Sequence, residues 1–185
     1  EEAWTESFVA RGARLRLRRA AFAARLTNTL EGGFRPGGER YEVQFRARAE
    51  GEEEARRALA EEIAALLPHE RAAGRSLVGP HRDAVELLVD GRDVAEGASS
   101  GQARSLLLAL ALAGLQVYRE ESGRSAVALL DDLDSELDEE RAAALCVEVV
   151  RRGQALVTSA HPGWAESLRP LGSIYHVSGG AVRCA

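Results

Sequence analysis

Lysine is missing from this 185-residue chain, and all 24 of its basic side chains are arginine. Any chemistry that requires a lysine amine must therefore be supplied from outside this sequence. Methionine is missing too, even at position 1, which is expected of an excised or processed piece. Only two cysteines occur, Cys146 and Cys184, too few for a disulfide framework in a chain this long. Cys146 falls within an apolar helical pattern and reads as a small core residue. No apolar run reaches the roughly 18–20 residues that span a bilayer, and no signal peptide is visible. The expectation is a soluble, cytoplasmic protein with no membrane partner. Aromatics make up 5% of residues, whereas alanine, leucine and arginine abound, which favours helix. With 45% apolar and 29% charged residues and a net charge of −5, the composition is that of a globular chain able to bury a core.

What is present reads as helices first and an α/β pattern later. Trp4, Phe8, Leu15, Phe22 and Leu26 recur at spacings of four and seven and stripe one face of a helix over about 3–29. Arg11, Arg14, Arg18 and Arg25 are expected on an opposite stripe. "EGGFRPGG" (31–38) breaks the helix, and "YEVQFRA" (41–47) alternates like a half-exposed strand. Residues 51–67 form a second helix with early acids, and Pro68 is expected to stop it. After "GPHRD" (79–83) come a strand, an Asp-Gly turn and a short return. A long helix over about Gly101–Glu121 is apolar almost all round and is expected to be buried. Then "AVALLDD" (126–132) reads as a strand, 138–152 as a helix, and "QALVTSA" (154–160) as a second strand. Pro162 opens a short helix, and two short strands meet around Gly179-Gly180. Apolar strands alternating with helices imply parallel pairing with both faces covered.

Chemistry concentrates in "LLDDLDSELD" (129–138), where an apolar strand ends in Asp131 and Asp132. Carboxylates just past the C-terminal end of a parallel strand stand where α/β sheets place ligands. Magnesium is the natural counter-charge, since it takes one or two carboxylates plus phosphate oxygens. The bland alternative is a strand end followed by a helix capped by Ser135 or Asp138. "SSGQ" (99–102) opens the long helix, where free N–H groups and the helix dipole favour a phosphate; a plain N-cap is the alternative.

"GPHRD", "ASSGQARSLLLALALA" and "LLDDLDSELD", in this order and spacing, resemble RecF, the bacterial recombination and DNA-repair ATPase of the ATP-binding-cassette type. The early "AWTESFVARGARLRLRRAAFAARL" resembles that family's Trp-led, Arg-bearing helix. The resemblance implies a partial P-loop NTPase head of α/β class. A helix-rich signature lobe (1–122) would precede the C-terminal part of the nucleotide-binding lobe (123–185). It further implies that Asp131 is the Walker B magnesium carboxylate and Asp132 the catalytic base. Ser99, Ser100, Gly101 and Gln102 would form the signature that closes on ATP held by a second subunit. Ser135, Glu136, Leu137 and Asp138 would form the loop crossing the dimer interface. His161 would be a switch histidine at the γ-phosphate, although its register is late and a capped loop histidine is the alternative. DNA, an ATP-dependent homodimer, and work with RecO, RecR and RecA are the implied partners.

The family's glycine-rich phosphate loop ends in Lys-Ser or Lys-Thr, and this sequence contains none, so the resemblance covers the C-terminal half of a RecF-like protein. Ala84 stands where the family commonly has a second aspartate. Arg14 and Arg18 are candidate DNA-phosphate contacts, with a solvated helix face as the alternative. Two rivals remain: the head of another chromosome-maintenance ATPase of this type, and a non-catalytic interaction module that keeps the fold.

Overall fold

The computed structural model describes residues 2–46, 49, 51–133 and 137–185. It divides into two compact units, one formed by residues 1–31 and 40–103, the other by 32–39 and 104–185. The functional lobes expected from the motifs, 1–122 and 123–185, partition the chain later than these units do.

In the first unit, helix α1 (Glu2–Glu31) packs on strand β1 (Tyr41–Phe45) and on helix α2 (Glu52–Ala73). β1 pairs antiparallel with β2 (Val85–Val89), which turns back into β3 (Arg92–Asp93). Tyr41, Val43 and Phe45 are buried and the residues between them are half-buried, the period-2 pattern of a strand with one face on the core. The Thr27 hydroxyl accepts from the Val43 N–H at 2.9 Å and donates to the Val43 carbonyl at 3.1 Å, tethering α1 to the strand. The expected Asp-Gly turn is present: Asp90 and Gly91 have φ of 50° and 78°, the left-handed pair that a two-residue hairpin needs.

Three expectations are corrected here. α1 buries Gly12, Ala13, Arg16, Ala23 and Leu30, whereas Trp4, Phe8, Leu15 and Phe22 are exposed. The small residues face inward because the helices approach closely: a Cβ on Gly12 would lie 2.7 Å from Leu59 Cδ2. At 100° per residue, Arg11 and Arg18 then lie beside the aromatic stripe on the exposed side rather than opposite it. Pro68 does not stop α2 but sits inside it, and the helix runs on to Gly74, a left-handed cap with φ 63°. The proline is exposed and ends no buried packing, so the lost backbone bond is tolerated.

Helix α3 (Val94–Gly97) follows β3, and helix α4 (Ser100–Ser122) continues from the first unit into the second. α4 buries one face through Ser105, Leu106, Ala109, Leu112, Ala113 and Val117, while Leu107 is 61% exposed. The expectation of all-round burial therefore fails. β4 (Val127–Leu130) and β5 (Gln154–Val157) pair in parallel, joined by helix α5 (Glu139–Arg152). The expected parallel strands are thus present, and among the described residues only one of their faces is covered. α5 packs on β5, and Ala128, Leu130, Ala155 and Val157 are half-buried, whereas Val127, Leu129 and Leu156 are exposed. Ala142, Leu145, Cys146 and Val149 bury the inner stripe of α5. Helix α6 (Pro162–Ser167), a 3-10 turn (Arg169–Leu171) and the hairpin β6 (Tyr175–Ser178) and β7 (Ala181–Cys184) complete the unit. Both cysteines are free, Cys146 buried and Cys184 exposed. Among the described residues no helix is long and apolar enough to cross a membrane.

Candidate functional site

Asp131 and Asp132 stand directly after β4, at the C-terminal edge of the parallel pair. Thr158, directly after β5, occupies the matching position on the neighbouring strand, and its N–H donates to the Leu130 carbonyl at 2.9 Å. Its hydroxyl joins the two aspartates: it donates to Asp131 Oδ1 and accepts from the Asp132 N–H, the latter at 2.9 Å. Asp132 has φ 50°, a left-handed backbone that few residues other than glycine adopt. Such a conformation persists where its surroundings over-determine it, and it clusters at functional sites. Here the Thr158 hydroxyl holds it from one side while Leu133, next in sequence, is buried on the other. Both aspartates are exposed, so their carboxylates meet solvent.

The donor set suits a hard divalent ion. Asp131 offers an oriented carboxylate at a strand end, with its Oδ1 fixed by a hydroxyl, and magnesium uses one or two carboxylates and takes its remaining oxygens from phosphate and water. Among the described residues no group of three or more His, Cys, Asp or Glu converges, so a closed all-protein metal cage is not built here.

His161 lies three residues beyond Thr158 and caps the N-terminus of α6. Its N–H donates to the Ser159 hydroxyl at 2.9 Å, which fixes the backbone of the turn, and its side chain makes no capping bond. Asp138 is the N-cap of α5: its carboxylate accepts from the Arg141 N–H at 2.9 Å. Of the expected interface loop, Ser135 and Glu136 lie outside the described residues, and Leu137 donates its N–H to the Leu133 carbonyl at 3.3 Å.

At the other motif, Ser99 and Gln102 form a reciprocal capping box at the start of α4. The Gln102 N–H donates to the Ser99 hydroxyl at 3.2 Å, and the Gln102 side-chain oxygen accepts from the Ser99 N–H at 3.0 Å. Ser100 is exposed, and Gly101 places no side chain between them and solvent.

Two features of the fold carry no local signal in the residues. Thr158 was legible only as the first polar residue after the apolar run of "QALVTSA"; its pairing with the aspartates follows from strand register. The second is a cluster around a buried ion pair: Arg16 donates to Asp83 of "GPHRD" at 2.8 Å and to the half-exposed Glu62 of α2 at 2.8 Å, and Arg19 donates to the Pro80 carbonyl. The candidate DNA arginines part company. Arg14 is bound to Glu52 at 3.0 Å, whereas Arg18 is exposed and pairs with no acid among the described residues.

No family model matches the chain. It is 36% identical over 151 residues to the DNA replication and repair protein RecF of Geobacter sulfurreducens, a match over 78% of this chain and 41% of that protein. With the RecF of Geobacillus thermodenitrificans it shares 32% over 187 residues, 96% of this chain and 50% of the relative. The RecF of Symbiobacterium thermophilum is 39% identical over 165 residues, 84% of this chain and 44% of the relative. Two solved structures share the fold over half their length. A structure of the recombination mediator protein RecF-ATP in the RecFOR pathway superposes with TM-score 0.78 at 24% identity over 100% of this chain and 50% of its own. The corresponding RecF-ATPrS structure gives 0.76 at 23%, over 99% and 50%. The chain spans about half the length of the curated relatives it matches. It is RecF-like, as its motifs led one to expect of a C-terminal half, and its fold is that of a partial P-loop NTPase head of mixed helix and parallel strand.

Proposed function

We propose that this RecF-like chain supplies the magnesium carboxylate, the catalytic base and the signature helix of an ATP-dependent DNA repair protein. The observation that carries the reading is the Asp131–Thr158–Asp132 arrangement at the open end of the parallel strands. The relatives named for DNA replication and repair, and the ATP-bound neighbours of like fold, support it. Asp131 would hold a magnesium ion, which would supply positive charge at the phosphates of bound ATP. Thr158 keeps the Asp131 carboxylate turned to the strand end. Asp132 accepts a proton from the attacking water, and its left-handed backbone sets the direction in which its carboxylate leaves the strand. His161, at the N-cap of α6, would contact the γ-phosphate.

In this reading Ser99, Ser100, Gly101 and Gln102 close on the nucleotide of a second subunit, with Leu137 and Asp138 near the same interface. The capping box presents the Ser99 hydroxyl at the positive end of α4. The phosphate-cradling lysine lies outside this sequence, which has none, so the ATP site is completed by other residues. The dimer clamps duplex or gapped DNA and supports RecA loading with RecO and RecR, and slow hydrolysis releases the clamp. Arg14 and Arg18 of α1 would meet DNA phosphates, Arg14 by exchanging its largely exposed ion pair with Glu52.

The test is ATP binding and turnover by the intact protein. Asp132→Asn should keep ATP binding and lower turnover by at least about 100-fold, the range of a lost general base. Asp131→Ala should remove the magnesium dependence of binding. Turnover of the Asn variant within about threefold of the parent would take Asp132 out of the base role.

A further inference from the structure

One hydroxyl serves both aspartates. β4 and β5 pair in parallel with Leu130 opposite Val157, and the Thr158 N–H extends that ladder to the Leu130 carbonyl at 2.9 Å. The register therefore carries Thr158 to the point where the chain leaves β4 as Asp131 and Asp132. A hydroxyl has one proton to give and lone pairs with which to accept. The Asp132 N–H can only donate, so the Thr158 oxygen accepts from it, at 2.9 Å. The hydroxyl proton is then left for Asp131 Oδ1, which accepts it. The two bonds strengthen one another, because donation to a carboxylate makes the hydroxyl oxygen a better acceptor for the amide. Asp132, at φ 50°, holds a backbone that needs support from its surroundings, and this bond supplies part of it.

We propose that Thr158 is a positioning residue for both carboxylates at once, orienting Asp131 for a divalent ion and Asp132 for the attacking water through a single hydroxyl. This rests on the roles proposed above for the aspartates, and adds that the two are not set independently. A group that supports only a metal ligand changes metal affinity, and a high metal concentration restores what its loss removes. A group that turns the base lowers turnover however much metal is present. Thr158 is expected to do both. A hydroxyl that merely stiffened the turn would change stability and leave the metal dependence alone.

The test uses the intact protein, with ATP affinity measured in magnesium and in a chelator. The ratio of the two affinities reads the contribution of the ion and needs no turnover. Thr158→Val keeps the shape of the side chain and should lower that ratio about tenfold, while affinity in the chelator stays as in the parent. At saturating magnesium and ATP, turnover should still fall about fivefold, the equivalent of one lost hydrogen bond. Thr158→Ser restores the hydroxyl and should recover both quantities. Thr158→Ala should match valine, so that the loss follows the hydroxyl and not the branched shape. In an Asp131→Asn background, Thr158→Val should leave the ratio where Asp131→Asn alone has put it. A ratio unchanged by valine, or turnover fully recovered at saturating magnesium, overturns the proposal, as does a serine variant as impaired as valine. Those outcomes leave the aspartate roles standing. Parent-like turnover of Asp132→Asn, or a parent-like ratio in Asp131→Asn, withdraws those roles and this proposal with them.

Discussion

Arg16 and Asp83, 67 residues apart, meet with Nη2 2.8 Å from Oδ1, and their side chains are 8 and 4% exposed. The pair joins α1 to the "GPHRD" loop, while Glu62 takes the other edge of the same guanidinium and brings in α2. Burial by itself draws the Arg16 pKa down, but the bonds to Glu62 and Asp83 outweigh it and the net direction is up. Arg16→Ala leaves the buried Asp83 carboxylate with Arg19 alone, 3.6 Å away, and should cost about 3 kcal/mol. Glu62→Ala removes a partner that is 46% exposed and should cost no more than about 1 kcal/mol. Urea denaturation of the two variants checks the order, and equal losses would reduce the cluster to a surface ion pair.

The Thr158 hydroxyl should be needed for the geometry of the aspartates before any ligand arrives. Thr158→Val keeps the shape but removes the acceptor of the Asp132 N–H and the donor to Asp131. A lost bond of about 1 kcal/mol corresponds to about fivefold faster hydrogen exchange at the Asp132 amide. Thr158→Ser should restore the parent rate. An unchanged rate in the valine variant would mean that the left-handed turn holds without this hydroxyl.

Ser99 serves a local structural role that any signature role must share. Ser99→Ala should destabilise α4 by about 1 kcal/mol, whereas Ser99→Asp, which still accepts the Gln102 N–H, should lose little. Thermal melts separate these two variants. In the intact protein Ser99→Arg should leave ATP affinity unchanged and block ATP-dependent dimerisation, read by light scattering. Normal dimer formation would confine the motif to its capping function.

The two thiols should react at very different rates. Burial pushes the Cys146 thiol up to about 11, so it stays protonated and un-nucleophilic, while Cys184 is exposed. At pH 8 a thiol reagent should modify Cys184 quickly and Cys146 only on unfolding. Above the ordinary value of 9.0 the unfolded chain gives up the Cys146 proton first, so stability falls as pH climbs towards 11. Rapid modification of both thiols in the native protein would show that the inner face of α5 opens.

Elements whose signals are local were legible from the residues alone. The Asp90-Gly91 turn and the hairpin at Gly179-Gly180 follow from glycine and aspartate tolerating positive φ, whatever surrounds them. Asp138 capping α5 and Ser99 with Gln102 capping α4 follow from side chains that reach the first free N–H groups of their own helices. Parallel pairing of β4 and β5 followed from two apolar runs separated by a helix, since a parallel pair requires such a crossover. The pairing of aspartates with a strand end was legible for the same reason.

Orientation and distant partners were decided by tertiary packing. Hydrophobicity placed Trp4, Phe8, Leu15 and Phe22 on one face of α1, but the side that packs is the one whose small residues let Leu59 and Pro80 approach Gly12. Close packing rewards surface fit as well as apolar area, so the richer stripe is not the one that faces β1 and α2. Pro68 could continue within α2 because its turn is exposed, a circumstance that sequence spacing does not record. Arg16 meets Asp83, and Thr158 meets Asp131 and Asp132, across 67, 27 and 26 residues. Such contacts depend on strand register and helix approach rather than on neighbours along the chain. The residue types and local geometry of the site were therefore determined by the sequence itself. Which side chains hold those residues in place, and which face of α1 packs on β1 and α2, was decided only when the chain folded on itself.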